Sequence, residues 1–293
     1  MLILVTGATG AVGRALALRL VAEGHEVLAA TRHPDVYVGP GTAVAFDLDD
    51  PEAGADADVA AGLAAADAAY YLVHALGDAD FAELDRRRVD RFAQVWGGDR
   101  PVVYLGGLGE PGTGSAHLRS RHEVGDRLAH RCATVVLRAS VVISADSLSF
   151  QLMARLGRLA ACSLLPVPLP TAALARTQPI ALADLLAALV GALGMDPGTY
   201  DIGGPDVLTY QDLIVRSARA QGHRLVTLPV VPIDPVWIGP ASALAAGTDP
   251  WATSALFAGM GTDAVVRPTH EPPGLSAATI GIDDAIATAL QAT

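Results

Sequence analysis

The sequence predicts an α/β fold, a doubly wound parallel sheet with a smaller C-terminal substrate lobe, and three observations carry that reading. The chain opens on a short apolar run, residues 2–6, which passes directly into glycine as a buried parallel strand does. Behind it, short β-branched runs alternate with helical patterns as far as about residue 144. The 293 residues, 51% of them hydrophobic, suffice for such a sheet and a second lobe.

The elements follow in order. Strands are predicted over 2–6, 26–31, 43–46, 68–73, 102–105 and 134–137. From Ala11, the residues Val12, Leu16, Leu20 and Val21 recur at helical spacing until Gly24 stops them. Helices over 56–65, 80–96 and 116–131 fill the later gaps; in the second, Phe81, Leu84, Val89, Phe92 and Val95 share one face. After Ser144 the pitch breaks. Helices are predicted over 148–159, 181–193 and 210–221, strands over 200–202 and 225–231, with a proline-rich stretch at 166–170 and apolar helix fragments at the end.

The segment Gly7-Ala8-Thr9-Gly10-Ala11-Val12-Gly13 sits between the first strand and the first helix. In that context glycines permit a tight turn and close approach of a pyrophosphate, and the helix N-terminus offers free N–H groups and a positive dipole end. Residues 1–144 therefore read as a Rossmann-type NAD(P)-binding domain. Residues 145–293 read as a substrate lobe interleaved with the sheet, with about 178–204 returning to the Rossmann core. The second strand ends Ala30-Thr31-Arg32-His33 with no acid before Asp35. A carboxylate there would bind the NAD ribose diol, whereas a cation binds the 2′-phosphate of NADP. Arg32 is accordingly either a 2′-phosphate ligand, helped by Thr31 and Arg14, or a solvated surface arginine. NADP(H) is the favoured cofactor, with NAD(H) as the alternative. Asp47 and Leu48 are placed near the adenine; Val73 and His74, in the loop 72–77, are placed beside the nicotinamide ribose.

Composition narrows the function. The net charge of −11 argues against a nucleic-acid surface. No apolar run reaches the ~20 residues of a spanning helix, and the start lacks a basic leader, so a soluble, cytoplasmic protein is expected. Cys132 and Cys162 show no metal spacing and read as buried free thiols. The chain contains no lysine and no asparagine; all 20 basic residues are arginine. Chemistry that needs a lysine ammonium is therefore excluded.

The 6–13 loop, the Asp47-Leu48 pair and the strand pitch resemble the short-chain dehydrogenase/reductase superfamily. Residues 117–124, 136–139, 176–180, 200–205 and 208–210 resemble its atypical, NmrA-like NAD(P)H-binding branch. The resemblance implies a Ser, Tyr and Lys set, with YxxxK on the helix after the fifth strand. This chain departs from it. That helix has no tyrosine, His117 and Arg121 stand at the matching positions one turn apart, and Gly106-Gly107 stands in place of the serine. The sequence therefore leads to an NADPH-dependent oxidoreductase of a small apolar carbonyl, quinone or enone, lacking the usual Tyr-Lys pair. Protonation would come from His117, His74 or water. The alternative is a non-catalytic NADPH-binding sensor or regulatory protein; epimerase chemistry is a weaker third. A homodimer through the helices at 80–96 and 116–131 is what the family implies.

Some residues carry two readings. Arg138 either faces the crevice or forms a buried ion pair. Arg86-Arg87-Arg88, with Asp85 and Asp90, reads as a solvated helix face with i,i+4 pairs. Ser140 and Ser144 lack a partner histidine at any hydrolase spacing. Phe150, Met153, Trp237, Trp251, Phe257 and Met260 are the candidate pocket residues, some of which must be core.

Overall fold

The computed structural model describes residues 1–75, 78–112, 114–161, 167–231, 243, 247 and 249–292. The parallel sheet is built from β1 (Leu2–Thr6), β2 (Glu26–Thr31), β3 (Thr42–Ala45), β4 (Ala68–Tyr71), β5 (Pro101–Gly107), β6 (Ala133–Ala139) and a late strand, β11 (Gly198–Ile202). Its seven strands run in the order β11-β6-β5-β4-β1-β2-β3, with every pairing parallel. Strand order reverses between β1 and β4. A crevice opens at that point, at the carboxyl ends of the strands.

Both faces of the sheet are covered, so side chains of successive strand residues enter different cores. Ile3 and Val5 pack with Leu16 and Leu20 of α1 (Ala11–Ala22) and with Leu185 and Leu189 of α6 (Leu182–Gly191). Leu4 points the other way, towards α2 (Ala57–Ala65), α3 (Phe81–Trp96) and α4 (Ala116–Arg131), joining Leu63, Phe92 and Leu128. The adjacent Tyr70 and Tyr71 divide likewise. Tyr70 donates its hydroxyl to the Leu189 carbonyl at 2.9 Å, while Tyr71 meets Phe92 edge-on at 5.0 Å.

Past β6 the chain makes short pairings. β7 (Val142–Ile143) runs parallel to β10 (Ile180–Ala181), and β9 (Arg176–Thr177) antiparallel to β12 (Leu208–Thr209). β8 (Val167–Pro170) runs parallel to β13 (Thr227–Val231). The helices α5 (Leu148–Ala161), α7 (Tyr210–Ala220), α8 (Pro250–Gly259) and α9 (Ile282–Gln291) share a third core, which holds Phe150, Leu213, Phe257 and Ile286. Thr209 and Asp212 close a reciprocal capping box at the start of α7.

Several boundaries differ from the sequence expectation. β5 and β6 run on through Gly106-Gly107 because their register pairs Gly107 with Ala139 despite the low strand propensity of glycine. β4 ends at Tyr71 instead of residue 73, where the chain turns into the crevice. The helix expected over 181–193 is α-helical only to Gly191 and finishes as a 3-10 turn.

Residues 178–204 return to the sheet as α6 and β11. Arg138 of β6 lies opposite Asp201 of β11 and donates through Nε to its carboxylate at 2.7 Å. The pair is 5% and 1% exposed. Arg267 reaches the other carboxylate oxygen at 3.0 Å. Of the two readings of Arg138, the buried ion pair is the observed one. Among the described residues, no helix is long and apolar enough to cross a membrane.

Removing one partner of a buried ion pair strands the other charge. Asp201→Ala is therefore expected to lower unfolding stability by about 3–5 kcal/mol, read by denaturant titration; a loss below ~1 kcal/mol would contradict the pairing.

Candidate functional site

The turn after β1 forms one wall of the crevice. Gly7 has φ +70°, and a Cβ there would sit 2.9 Å from the Leu72 carbonyl oxygen. A Cβ on Gly13 would lie 2.2 Å from the Gly7 oxygen, so α1 packs against its own entry turn only with glycine at this position. A Cβ on Gly10 would meet only the Gly7 oxygen, at 3.3 Å, leaving open the side a ligand would approach. α1 starts after Gly10 with no side-chain cap and no acid in its first turn. The N–H groups of Ala11, Val12 and Gly13 thus have no intrahelical acceptor, which fits a dinucleotide pyrophosphate. Gly7, Gly10, Ala11, Val12 and Gly13 line the crevice; Thr9 is exposed and does not.

At the end of β2, Thr31 is buried and its hydroxyl accepts from the His33 N–H at 3.2 Å, while Arg32 is exposed. The neighbouring Asp49 is gripped through both oxygens by Arg88, at 2.8 and 2.6 Å. That bond, opposed by burial and reinforced by the charges of Arg88, Arg87 and Arg32, holds the Asp49 carboxyl below its ordinary range. Three arginines thus converge beside the end of β2. Asp47 accepts from the Asp49 N–H at 3.0 Å in a local turn. Leu48 is a correction: its side chain is buried in the core with Phe46 and Leu63 and does not open towards an adenine.

The arginine run is also not the solvated i,i+4 face that was expected. Arg86 pairs with Glu83 at i,i+3 and with Glu123 of α4, and Arg88 crosses to Asp49. Asp90 pairs with Arg127 and Arg131 of α4. Asp85 is buried at 3% exposure. One Asp85 oxygen accepts from the Ala75 N–H at 2.8 Å and the other from the Ser120 hydroxyl at 2.9 Å. Burial raises its pKa and these hydrogen bonds oppose the rise. Asp85 thereby ties the loop carrying Val73 and His74 to α4, which carries His117 and Arg121. Val73 and His74 line the crevice; Leu76 and Gly77 of the same loop lie outside the described residues.

α4 is capped by Ser115, whose hydroxyl accepts from the Leu118 N–H at 3.2 Å. This sets His117 in the first turn, edge-on to His74 at 6.2 Å and to Phe81 at 6.1 Å. Burial, then the charges of Arg121 and His74, push the His117 pKa down to about 3. Desolvation by the crevice walls, then the charge of Arg121, lowers the His74 pKa to about 4, while the residue as a whole is exposed towards the crevice. Both imidazoles are neutral at pH 7. His117 is consequently not the imidazolium proton donor that the sequence offered, since a neutral imidazole that gave up a proton would leave an imidazolate.

Arg121 donates through Nη2 to the Leu105 carbonyl, and its buried Nε has no partner among the described residues. A Cβ on Gly107 would lie 2.7 Å from Leu118 and 3.5 Å from the Arg121 Cδ, so the glycine at the serine position lets α4 lie close on β5. Gly106 lines the crevice beside it.

The crevice continues beneath the lobe, and the whole space, glycine turn included, has a volume of about 650 Å³. Met153 and Met260 line it, whereas Phe150 and Phe257 are buried in the core behind. Trp251 is 59% exposed and outside it, and Trp237 is not among the described residues. Sequence reasoning missed Leu152, Leu256, Ser140 and Tyr210 as lining residues. Ser140 directly follows β6, a strand end at the crevice edge, and that position was the available signal. Cys132 is a buried free thiol, and Cys162 lies outside the described residues. No metal-binding cluster of three or more acidic, His or Cys side chains exists among the described residues.

Residues 3–89 match the NAD dependent epimerase/dehydratase family. The matched stretch covers β1, the glycine turn and the elements as far as the middle of α3; the match does not confirm the NmrA-like branch expected from the sequence. No curated protein matches the chain. WbmG from Bordetella bronchiseptica, in complex with NAD and UDP, superposes with TM-score 0.68 at 16% identity, covering 99% of this chain and 92% of that one. A UDP-glucose 4-epimerase from Thermotoga maritima with UDP-glucose gives 0.65 at 11% identity, covering 99% and 98%. A UDP-N-acetylglucosamine 4-epimerase from Bacillus cereus gives 0.63 at 14%, covering 98% and 94%. These likenesses establish the fold over the whole chain.

The histidine environment predicts an acid sensitivity. His117 binds its proton in the unfolded chain near pH 6.5 and in the folded protein only near 3. Its contribution is whole above about pH 6.5 and drains away as pH falls towards 3. The drop in Tm between pH 7 and pH 5 is expected to be smaller in His117→Gln than in the wild type; equal drops would refute a half-buried His117 held neutral by the fold.

Proposed function

We propose that the chain is an NAD(P)H-dependent oxidoreductase of a small, uncharged, fairly apolar carbonyl, quinone or enone. One observation carries this: a single crevice runs from the glycine turn, past His74, His117 and Arg121, to a wall that includes Met153 and Met260. The cofactor would supply a hydride at its nicotinamide.

The chain's own residues supply the rest. The N–H groups of residues 11–13 hold the pyrophosphate, with Val73 and Gly106 flanking the nicotinamide ribose. Thr31, Arg32 and the neighbouring Arg87, with no acid at the end of β2, support NADPH over NADH. Asp47 and the Leu48 backbone border the adenine. Arg121 keeps its charge and is anchored to the end of β5, so it serves as a fixed electrostatic partner and moves no proton. The neutral imidazoles of His117 and His74 donate hydrogen bonds to a substrate oxygen as the carbonyl carbon gains hydride, and that oxygen takes its proton from water. A histidine kept neutral to polarise a carbonyl is an established catalytic arrangement. Placement near the NmrA-like branch rests on the segments from residue 117 to 210.

The family match favours a nucleotide-sugar reaction as the rival reading. Against it, Arg121 is the only arginine among the described residues that line the cavity, and it stands at the cofactor end. The residues outside the described set contain neither arginine nor lysine. A second diphosphate would lack the cationic partners such groups require. The neutral histidines and the missing Tyr-Lys pair favour a different alternative, a sensor that binds NADPH without turnover.

Fluorescence titration tests the cofactor site. NADPH affinity is expected to fall about tenfold in Arg32→Ala, ~1.4 kcal/mol, with NADH affinity unchanged. If neither cofactor binds the wild type at millimolar concentration, the reading fails. Oxidation of bound NADPH in a single turnover by a quinone and ketone panel supports the reductase, whereas binding with no oxidation by any of them supports the sensor.

A further inference from the structure

Three hydroxyl groups from separate elements meet at the cavity wall, and the reading above gives them no role. Ser140 follows β6, is half-buried and lines the cavity. Its Oγ shares a hydrogen bond with the Oγ1 of Thr177 at 2.5 Å. Thr177, on β9, is fully buried. Tyr210 opens α7, lines the same cavity, and brings its phenol into hydrogen-bonding range of both Thr177 and Ser140. β9 and β12 hold this arrangement, since Leu208 pairs with Thr177 two residues before Tyr210.

Each hydroxyl has one proton to donate and two lone pairs to accept with. The three can close a ring that uses every proton or lie in a line that uses two and leaves one, and a ligand oxygen beside Ser140 selects the line by taking the free proton. The phenol is the most acidic of the three and is the natural first donor, giving the order Tyr210 to Thr177 to Ser140. The proton left over belongs to Ser140, which faces the cavity. Donors in such a chain polarise one another, which strengthens the last. The cavity wall that it shares includes the apolar side chains of Val141, Met153 and Met260. In that apolar setting an unmatched hydroxyl is costly and a neutral ligand oxygen relieves it. A carboxylate or phosphate would need a cation, and none lines this end of the cavity among the described residues.

We propose that Ser140 binds a neutral carbonyl or hydroxyl oxygen of the substrate, and that Thr177 and Tyr210 are positioning residues that aim its proton. The proposal rests on the reading of this cavity as a reductase pocket. It makes recognition of the substrate depend on an oxygen, in addition to the apolar contacts that would hold any hydrocarbon of the right size.

The test compares menadione with 2-methylnaphthalene, which has the same carbon skeleton and no oxygen, binding to the NADP⁺ complex so that no turnover intervenes. Calorimetry is expected to show about tenfold tighter binding of menadione to the wild type. Ser140→Ala should remove most of that preference by weakening menadione alone, with NADP⁺ affinity and Tm kept. Thr177→Val and Tyr210→Phe should each reduce it about threefold, and Tyr210→Phe added to Ser140→Ala should change nothing more. A merely structural role would lower Tm and weaken both ligands alike. An undiminished preference in Ser140→Ala, or no menadione binding to the wild-type complex, overturns the proposal and leaves the cofactor site standing. Failure of the wild type to bind NADP⁺ overturns the reductase reading, and this proposal with it.

Discussion

The approach of α1 to the turn that launches it governs the crevice. The Gly7 carbonyl occupies the space that any Cβ at Gly13 would need, 2.2 Å away, while Gly7 itself takes a φ of +70° beneath the Leu72 backbone. These contacts join β1, α1 and the end of β4. They bring the unbonded N–H groups of the first helical turn to the point where strand order reverses. A larger residue at Gly13 would lift the helix start off the sheet and close the route to a pyrophosphate.

The second constraint is electrostatic and works through burial. Asp85 ties the His74 loop and α4 together through two hydrogen bonds, so both histidines face one space beside Arg121. A fixed guanidinium and low-dielectric walls then hold both rings neutral. The same group that replaces a lysine in position thus determines what its neighbours can do. Imidazole near this arginine stays neutral and offers a hydrogen-bonding N–H.

The lobe is joined to the sheet by charge as well as by packing. Arg138 and Asp201 form a cross-strand pair at the outer strand, and Arg267 extends it into the segment after α8. Buried pairs of this type are weak contributors to net stability but strongly penalise any register that separates them. Separately, the β9–β12 pairing sets Thr177 opposite Leu208, two residues before Tyr210, behind the cavity wall that Ser140 and Tyr210 line.

Local signals made the Rossmann half legible. Glycine spacing between a strand and a helix, short apolar and β-branched runs alternating with helical patterns, and the absence of an acid at the end of β2 all act within a few residues, so the sequence alone determined the sheet, the cofactor turn and the exposed Arg32. Extra strand length at Gly106-Gly107, the burial of Asp85 and of Leu48, and the choice between crevice and ion pair for Arg138 were not legible there. Each depends on partners 10 to 63 residues away or on packing between layers. The hydroxyl cluster at the cavity is the extreme case, since Ser140, Thr177 and Tyr210 are isolated polar residues in three separate segments. Only the tertiary structure decided that they meet, because hydrogen bonds between distant segments leave no periodicity in the chain.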